Sequence, residues 1–337
     1  MINNVYQLVS PRTVVVKFED VPVEGRVLVR PRAMAVCHAD QRYFQGRRDA
    51  QVLRRKLPMA LIHECVGEVL ADPTGTFQTG QQVVLIPNIP GREGEGLYEN
   101  YAPGSAFRSS GHDGFMRDVV ALPPDRVVDA SGLDGHVAAI AEFVSVAVHA
   151  CRRLEATART PIRDLVVVGD GSLGFVTACV ASTFFPGASL SVVGRNQDKL
   201  ALFSFAAHRY FSDEVPADVR FDHGFECAGG EGSSEAINFV IAHARPQANL
   251  MLMGVSEHPV AVNTRDVLER GMTLVGCSRS GRQDFERALE IMRAPGMQER
   301  LRQIVYVDAP VTSVADIKRV FATDSQTPFK TVFEWGM

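Results

Sequence analysis

An apolar run in the middle of the chain leads directly into a glycine pattern. Residues 165–168 read Leu-Val-Val-Val, and a G-x-G-x-x-G pattern at 169–174 opens an apolar stretch with helical spacing. A continuous apolar run is typical of a strand that is covered on both faces. Between such a strand and a helix, the glycines permit a tight turn, a close backbone approach to a pyrophosphate, and close helix–strand packing. The pattern predicts a dinucleotide site formed by Gly169, Gly171, Ser172, Leu173 and Gly174, with an ordinary loop as the alternative.

The two halves of the chain have different patterns of predicted strands and helices. In the second half, strand candidates at 189–194, 221–227, 249–255 and 272–277 alternate with helical patterns such as 233–243, which predicts a doubly wound parallel sheet. The first 125 residues instead contain short β-type runs at 13–18, 26–30, 66–70, 82–86 and 116–121. A polar segment at 87–112 is predicted to be an exposed lobe, and residues 138–153 a helix that leads into the second domain. The fold class is therefore α/β, with a β-rich domain before a doubly wound sheet.

The end of the second strand of such a sheet determines which nicotinamide dinucleotide binds. NAD enzymes carry an acid there for the ribose hydroxyls. This chain has Arg195 at that position and Lys199 one turn later. Because a guanidinium suits a 2′-phosphate, we expect NADP(H), unless Arg195 is a solvated turn residue. Cys227 and Gly254, near later strand ends, are expected beside the cofactor, Cys227 without a chemical role.

A candidate metal site combines residues from distant parts of the chain. Thiolate, imidazole and carboxylate ligands suit four-coordinate zinc, which would stabilise the alkoxide that expels a hydride. The residues alone leave another interpretation open, in which the cysteine belongs to the core and the His-Glu pair is structural. The candidates are Cys37, His63, Glu64 and Glu142.

These motifs and their order resemble the medium-chain dehydrogenase/reductase family. Cys37-x-x-Asp40, His63-Glu64 and the stretch 142–153 carry the resemblance, the last being especially similar to the sorbitol/polyol dehydrogenase branch. The resemblance implies a GroES-like catalytic domain at 1–146, a Rossmann domain at 147–283, and a segment at 284–337 that returns to the catalytic domain. It also implies that the four candidate ligands hold zinc and that Asp40 orients His63. Which of Glu64 and Glu142 binds directly is left open.

Three positions depart from the family pattern. Ala39 stands where many relatives have the Ser or Thr hydroxyl that begins the proton relay. Proton transfer must then use water, Glu64 or another group, with His38 as a further candidate. Ile62 replaces the usual glycine before the His-Glu pair. The lobe at 88–112 contains no cysteine, so we expect one catalytic zinc ion and no structural zinc.

A narrower resemblance concerns the substrate. Segments at 1–9, 39–43, 57–59, 107–116 and 276–281 are similar to ribulose-5-phosphate reductases. Those enzymes make ribitol 5-phosphate with NADPH for CDP-ribitol, a precursor of teichoic acids and some capsules. The resemblance implies this reaction for the chain. An unphosphorylated polyol or sorbitol-type dehydrogenase and a non-catalytic NADPH-binding protein are the alternatives.

A phosphorylated substrate also agrees with the charge pattern. Residues 42–56 contain six cations and one acid. We expect Arg42 to contact phosphate, with Arg108 and Arg279 as further members of the clamp and His112 in the cleft. A solvated helical face is the expectation for Arg48, Arg54, Arg55 and Lys56.

The remaining features limit location and partners. The formal net charge of −4 gives no reason to expect nucleic acid or membrane as a partner. The N-terminus lacks a signal-peptide pattern, and the longest uncharged stretch, 171–194, is interrupted by Pro186-Gly187. Six scattered cysteines form no CxxC pair, so a cytoplasmic protein is expected. A strand edge near 272–277 and the family resemblance suggest a homodimer that acts on a small sugar phosphate.

Overall fold

The computed structural model describes residues 2–92 and 94–337. Contacts divide the chain into two compact units, Met1–Ser145 with Ser280–Met337, and Val146–Arg279. Within the described residues, no helix is both long and apolar enough to cross a bilayer. The division assigns two segments that are distant in sequence to one unit.

The strands and helices have the following bounds along the chain. The first part contains β1 (Ile2–Ser10), β2 (Thr13–Asp20), β3 (Val27–Ala35), α1 (His38–Phe44), α2 (Ala50–Lys56), β4 (Met59–Ala60), β5 (Glu64–Ala71), β6 (Gln82–Leu85), β7 (Asn88–Ile89), β8 (Ala106–Phe107), β9 (Val120–Leu122), β10 (Val127–Asp129), α3 (Gly135–Ala138) and α4 (Ala141–Thr157). The middle contains β11 (Asp164–Val168), α5 (Ser172–Phe184), β12 (Ser189–Gly194), α6 (Gln197–Ala201), β13 (His208–Phe211), β14 (Phe221–Glu226), α7 (Ser233–His243), β15 (Ala244–Leu252), α8 (Thr264–Glu269) and β16 (Thr273–Gly276). The last part contains α9 (Arg282–Met292), α10 (Met297–Arg302), β17 (Val305–Val307), α11 (Val314–Asp324) and β18 (Lys330–Glu334).

The first unit is built on a sheet in which late and early strands are neighbours. Its order is β10-β6-β5-β3-β18-β17, with β9 also paired to β3, while β2-β1-β4 form a smaller sheet. Both β5 and β18 pair antiparallel with β3. Fully buried side chains such as Val29, Val69, Leu85 and Phe115 form its core. The strand ends around β3 are therefore fixed by a packed sheet.

The second unit is one parallel sheet in the order β13-β12-β11-β14-β15-β16. Its first strand, β11, lies in the middle, and the chain direction along the sheet reverses between β11 and β14. In doubly wound folds, dinucleotides bind at the carboxyl ends of the strands at such a reversal. The structure thus confirms the α/β fold class with a doubly wound parallel sheet.

Three sequence-based elements differ from the structure. The strand expected at 116–121 reduces to β9, because Asp118 and Val119 donate their N–H groups to the carbonyl of Asn4 and the side chain of Asn3. The helix expected at 138–153 is two helices, α3 and α4. The strand expected at 249–255 begins at Ala244 and ends at Leu252, after which Met253 and Gly254 turn to bond Glu226.

Candidate metal centre and dinucleotide site

The predicted ligands Cys37, His63 and Glu64 meet at the ends of paired strands. Cys37 follows β3 by two residues, and His63 immediately precedes β5, whose Glu64 lies opposite Ala35 of β3. One ligand atom from each of the three side chains lies within 4.8 Å of the others. His63 and Glu64 are buried and Cys37 is partly exposed, so the group is open on the thiol side.

Asp40 contacts the imidazole of His63 at Nδ1. Its Oδ2 lies 3.3 Å from Nδ1 of His63, while its Oδ1 accepts hydrogen bonds from the N–H of Ile62 and the hydroxyl of Ser109. Burial alone would raise the pKa of Asp40, but the charge of His63 and these donors outweigh it and lower that pKa. A carboxylate at Nδ1 leaves Nε2 as the ring nitrogen available for a metal. The geometry matches the orienting role expected for Asp40.

Lys330 is a member of the site that the sequence did not reveal. It begins β18, beside β3, and its ammonium lies 2.5 Å from Oε1 of Glu64 and 2.8 Å from the carbonyl of Val36. Oε2 of Glu64 is buried and has no hydrogen-bond partner among the described residues. A buried carboxylate oxygen without a partner is costly unless something else satisfies it. Together with a thiol and an imidazole, this orphaned oxygen fits a zinc ion.

Glu142 stands at the edge of the group. It lies in the first turn of α4 and is buried, but it is not one of the three residues whose ligand atoms converge within 4.8 Å. Burial raises its pKa to about 7, against the lowering effect of His63 and with a further rise from Glu64. The pKa of Glu142 therefore depends on the charges of the site, although Glu142 is not one of the three residues whose ligand atoms converge.

Ile62 adopts a backbone conformation that normally favours glycine. Its φ is +69°, in the left-handed region, and its side chain is fully buried. For a β-branched residue this conformation is strained, by about 1–3 kcal/mol. The strain places the N–H of Ile62 on Asp40 and the next side chain, His63, on the same carboxylate.

Two glycines of the turn in the second unit leave no room for a side chain, whereas the third does. Gly169 has φ +129°, and a Cβ there would lie 2.8 Å from the carbonyl carbon of Cys227. A Cβ on Gly174 would lie 2.8 Å from the carbonyl carbon of Gly169 and closer still to its oxygen. Gly171 is the N-cap of α5 and has no atom within 4 Å of its Cβ position. Ser172 and Leu173 form the first turn of α5 and present its N-terminal amides, which favour anions.

Beyond the turn lies a cleft of about 280 Å³ that includes the ends of β11 and β12. Oδ2 of Asp170 accepts the N–H groups of Arg195 at 2.6 Å and Asn196 at 2.7 Å, which fixes the start of the following loop. The guanidinium of Arg195 lies on the rim, 2.5 Å from Glu235, and both side chains are more than half exposed. Lys199 donates its N–H to Asn196. Such an exposed pair is weak, so Arg195 can exchange Glu235 for another anion.

Cys227 and Gly254 are positioned by contacts inside the second unit. The thiol of Cys227 is buried 3.6 Å from the hydroxyl of Thr177, and burial raises its pKa. The thiol therefore faces the helix–sheet interior, and the expected contact of Cys227 with the cofactor stays a prediction. Gly254 donates its N–H to the buried carboxylate of Glu226, and a Cβ would lie 2.7 Å from one oxygen of Glu226. Sequence analysis missed Glu226, since an acid inside a strand gives no periodic signal.

The expected substrate residues are only partly gathered around the metal ligands. Arg108 donates to the carbonyl of Asp113, and burial lowers its pKa to about 10, helped by the nearby charge of Arg117. Its neighbours Phe107 and Ser109 are the ones that contact His63 and Asp40, so Arg108 extends elsewhere. The substrate role expected for Arg108 therefore stays a prediction.

The other three expected substrate residues differ in exposure. His112 is exposed, in a turn where its carbonyl accepts the N–H of Ser109. Arg42 is partly buried on α1 but lies two residues after Asp40, about 200° around the helix. Arg279 ends the second unit with φ +61°. The substrate roles expected for Arg42, His112 and Arg279 stay predictions.

Comparison with known proteins agrees with this geometry. Residues 23–132 match the alcohol dehydrogenase GroES-like domain. The chain is 52% identical to a ribulose-5-phosphate reductase of Streptococcus pneumoniae over 99% of this chain and 98% of that protein. It is 44% identical to a ribulose-5-phosphate reductase of Bacillus spizizenii over 99% of each. The crystal structure of S. aureus TarJ in complex with NADPH superimposes with a TM-score of 0.89, at 39% identity over 100% of both chains. The chain therefore belongs to the ribulose-5-phosphate reductases, a group of zinc-type medium-chain dehydrogenases/reductases.

Proposed function

We propose that the protein reduces D-ribulose 5-phosphate to D-ribitol 5-phosphate, with NADPH as the hydride donor and one zinc ion. The observation that carries the proposal is the convergence of Cys37, His63 and Glu64 within 4.8 Å in a chain so similar to named reductases. In the balanced reaction, the ketone takes a hydride at carbon and a proton at oxygen, and NADPH becomes NADP⁺. Product use in CDP-ribitol, teichoic-acid or capsule precursors belongs to the same proposal.

The chain's own residues bind and orient the reactants. Cys37 and His63, with a carboxylate, would hold zinc, which when bound polarises the ketone oxygen and stabilises the developing alkoxide. Asp40 fixes the ring of His63 in the ligating tautomer, and Lys330 balances the charge of Glu64. Ala39 supplies no hydroxyl, so the proton reaches the alkoxide through water or His38.

NADPH is the proposed cofactor because of the strand end after β12. The backbone amides of the glycine turn and of α5 face the pyrophosphate, and Arg195 reaches the 2′-phosphate by leaving Glu235. Arg195 lines the same cleft as Gly169 and Asp170. No carboxylate occupies its position in the sequence.

Domain roles, assembly and location are part of the proposal. The division after Ser145 and before Ser280 supports a GroES-like catalytic domain of 1–146 and 284–337 around a Rossmann domain of 147–283. β16 lies at the edge of its sheet, which supports a homodimer formed by strand pairing across a two-fold axis. Six cysteines outside any disulfide support a reducing, cytoplasmic location.

A spectrophotometric screen tests the reaction. NADPH oxidation is measured with D-ribulose 5-phosphate, other ketose phosphates and free D-ribulose, with and without a metal chelator, and NADH replaces NADPH in a parallel set. We expect turnover with the pentulose phosphate and NADPH that the chelator abolishes. Equal kcat/KM for free and phosphorylated D-ribulose would favour a polyol dehydrogenase. NADPH binding without zinc or turnover on any ketose would favour the non-catalytic alternative.

A further inference from the structure

The structure divides the cation-rich segment 42–56 into two classes. Arg47, Arg54 and Arg55 are exposed, as a solvated helical face requires. Arg42, Arg48 and Lys56 are only partly exposed, and the Nε atoms of Arg42 and Arg48 are buried. Arg48 and Lys56 therefore differ from the solvated face that the sequence suggested for them.

Arg48 and Lys56 converge on one buried aromatic ring. The guanidinium carbon of Arg48 lies 5.0 Å from the ring centroid of Tyr43, and the ammonium of Lys56 lies 5.9 Å from the same centroid. Tyr43 is 1% exposed. Both cationic groups therefore lie beside the same aromatic side chain, where each can contribute to the binding of one anion.

The pair lies on the side of α1 that carries the metal-site contacts. Tyr43 is three residues after Asp40 and shares its helix face, whereas Arg42 does not. Lys56 donates to the hydroxyl of Ser110 at 2.8 Å. The preceding residue, Ser109, donates to Asp40, which bonds His63. A short chain of contacts thus leads from the metal ligand to Lys56.

The charge of Lys56 is not neutralised by its surroundings. Across residues 2–92 and 94–337, Lys56 forms no salt bridge, and its hydrogen bond goes to a neutral hydroxyl. The one acid of the segment, Asp49, instead caps α2 by accepting the N–H groups of Gln51 and Val52. Lys56 thus presents an ammonium without a carboxylate partner in the described part of the chain, beside a hydroxyl, and this is chemistry that binds a phosphate dianion.

From this arrangement we propose that Arg48, Lys56 and the hydroxyl of Ser110 form the subsite for the phosphate of the ketose. The inference rests on the proposed function, because it assumes that the reacting carbonyl lies at the Cys37–His63–Glu64 group. In D-ribulose 5-phosphate five single bonds separate the carbonyl carbon from phosphorus, roughly 6 Å when extended. Arg48 and Lys56 are then specificity residues that select phosphorylated over free ketoses.

The test compares Lys56→Met and Arg48→Met with Arg55→Gln, an exposed cation on the same helix as Lys56. Steady-state kinetics are measured with D-ribulose 5-phosphate and with D-ribulose, and zinc content and Tm verify folding. We expect KM for the phosphate ester to rise about 10- to 100-fold in each Met variant, with kcat and the kcat/KM for D-ribulose little changed. Lys56→Arg should recover most of the loss, and Arg55→Gln should match the wild type.

Inorganic phosphate separates failure of the subsite from failure of the proposed reaction. Phosphate should raise the Tm of the wild type and of Arg55→Gln, and do so much less in Lys56→Met. If the enzyme reduces D-ribulose 5-phosphate but the preference over D-ribulose is unchanged in both Met variants, the subsite is wrong. If no ketose phosphate is reduced, the proposed function is wrong. If inorganic phosphate also raises the Tm of all variants equally, the subsite is wrong as well.

Discussion

Two glycines of the same turn should respond differently to the same substitution. Gly174 lies in α5, where alanine would gain about 1 kcal/mol of helix propensity. That gain is outweighed because the new Cβ would lie 2.8 Å from the carbonyl carbon of Gly169, an atom of the backbone that cannot rotate away. Overpacking of this kind costs about 3 kcal/mol, so Gly174→Ala should lose about 2 kcal/mol net. In a domain of this size the Tm would fall by about 6 °C.

Gly171→Ala is the matched control. Its Cβ meets no atom within 4 Å, and its φ of −80° suits any residue, so the loss should stay below about 1 kcal/mol. The methyl group would instead stand where the pyrophosphate approaches, and the Kd for NADPH should rise about 10-fold or more.

The assay is thermal unfolding without nucleotide, followed by fluorescence titration with NADPH. A stable Gly174→Ala protein would refute the close helix–strand approach. A Gly171→Ala protein with unchanged NADPH affinity would refute the proposed path of the pyrophosphate.

Four further sites are tested by substitution: the metal site, the cofactor choice, the buried ion pair and a buried histidine. Cys37→Ser should lose zinc and turnover together, and turnover in metal-free protein would contradict the ligand assignment. Arg195→Asp should raise the Kd for NADPH about 10-fold more than that for NADH; equal effects would reject a contact with the 2′-phosphate. Lys330→Met leaves Glu64 buried without its cation, so the free energy of unfolding in urea should fall by about 3 kcal/mol, and by less in Lys330→Arg. His223 accepts the N–H of Asn249 at Nδ1, and burial lowers its pKa. Protons then bind the unfolded chain preferentially, and stability should fall as pH drops below about 6.5, less steeply in His223→Gln. An identical pH dependence in both proteins would contradict this reasoning.

Local patterns were sufficient for the elements that position the two sites. The apolar run and glycines at 165–174 predicted β11, the turn and α5, because the steric demands of that turn are met by neighbouring residues. For Cys37, His63 and Glu64 the residues alone left a structural interpretation open, and the family resemblance favoured the metal site. The structure brings the three side chains together because β3 and β5 pair in one sheet.

Contacts between distant segments could not be predicted in the same way. Lys330 gives no local signal, because its role arises only when β18 pairs with β3. The hydrogen bond from Ser109 to Asp40 also depends on the fold of a turn 69 residues away in sequence, which local patterns do not encode. Charge density along 42–56 likewise could not tell Lys56 from Arg55, because their difference lies in burial.

Because Lys330 is far from Glu64 in sequence, the acid is synthesised well before its counter-ion. The two residues are 266 positions apart, so a ribosome working at about 5–20 residues per second needs roughly 13 to 53 s to make the counter-ion after it has made the acid. During that interval the nascent sheet has Cys37, His63 and Glu64 but lacks the cation and the strand that carries it. The zinc-binding geometry of the mature protein is therefore completed only after β18 has left the ribosome. It does not form while the first strands emerge.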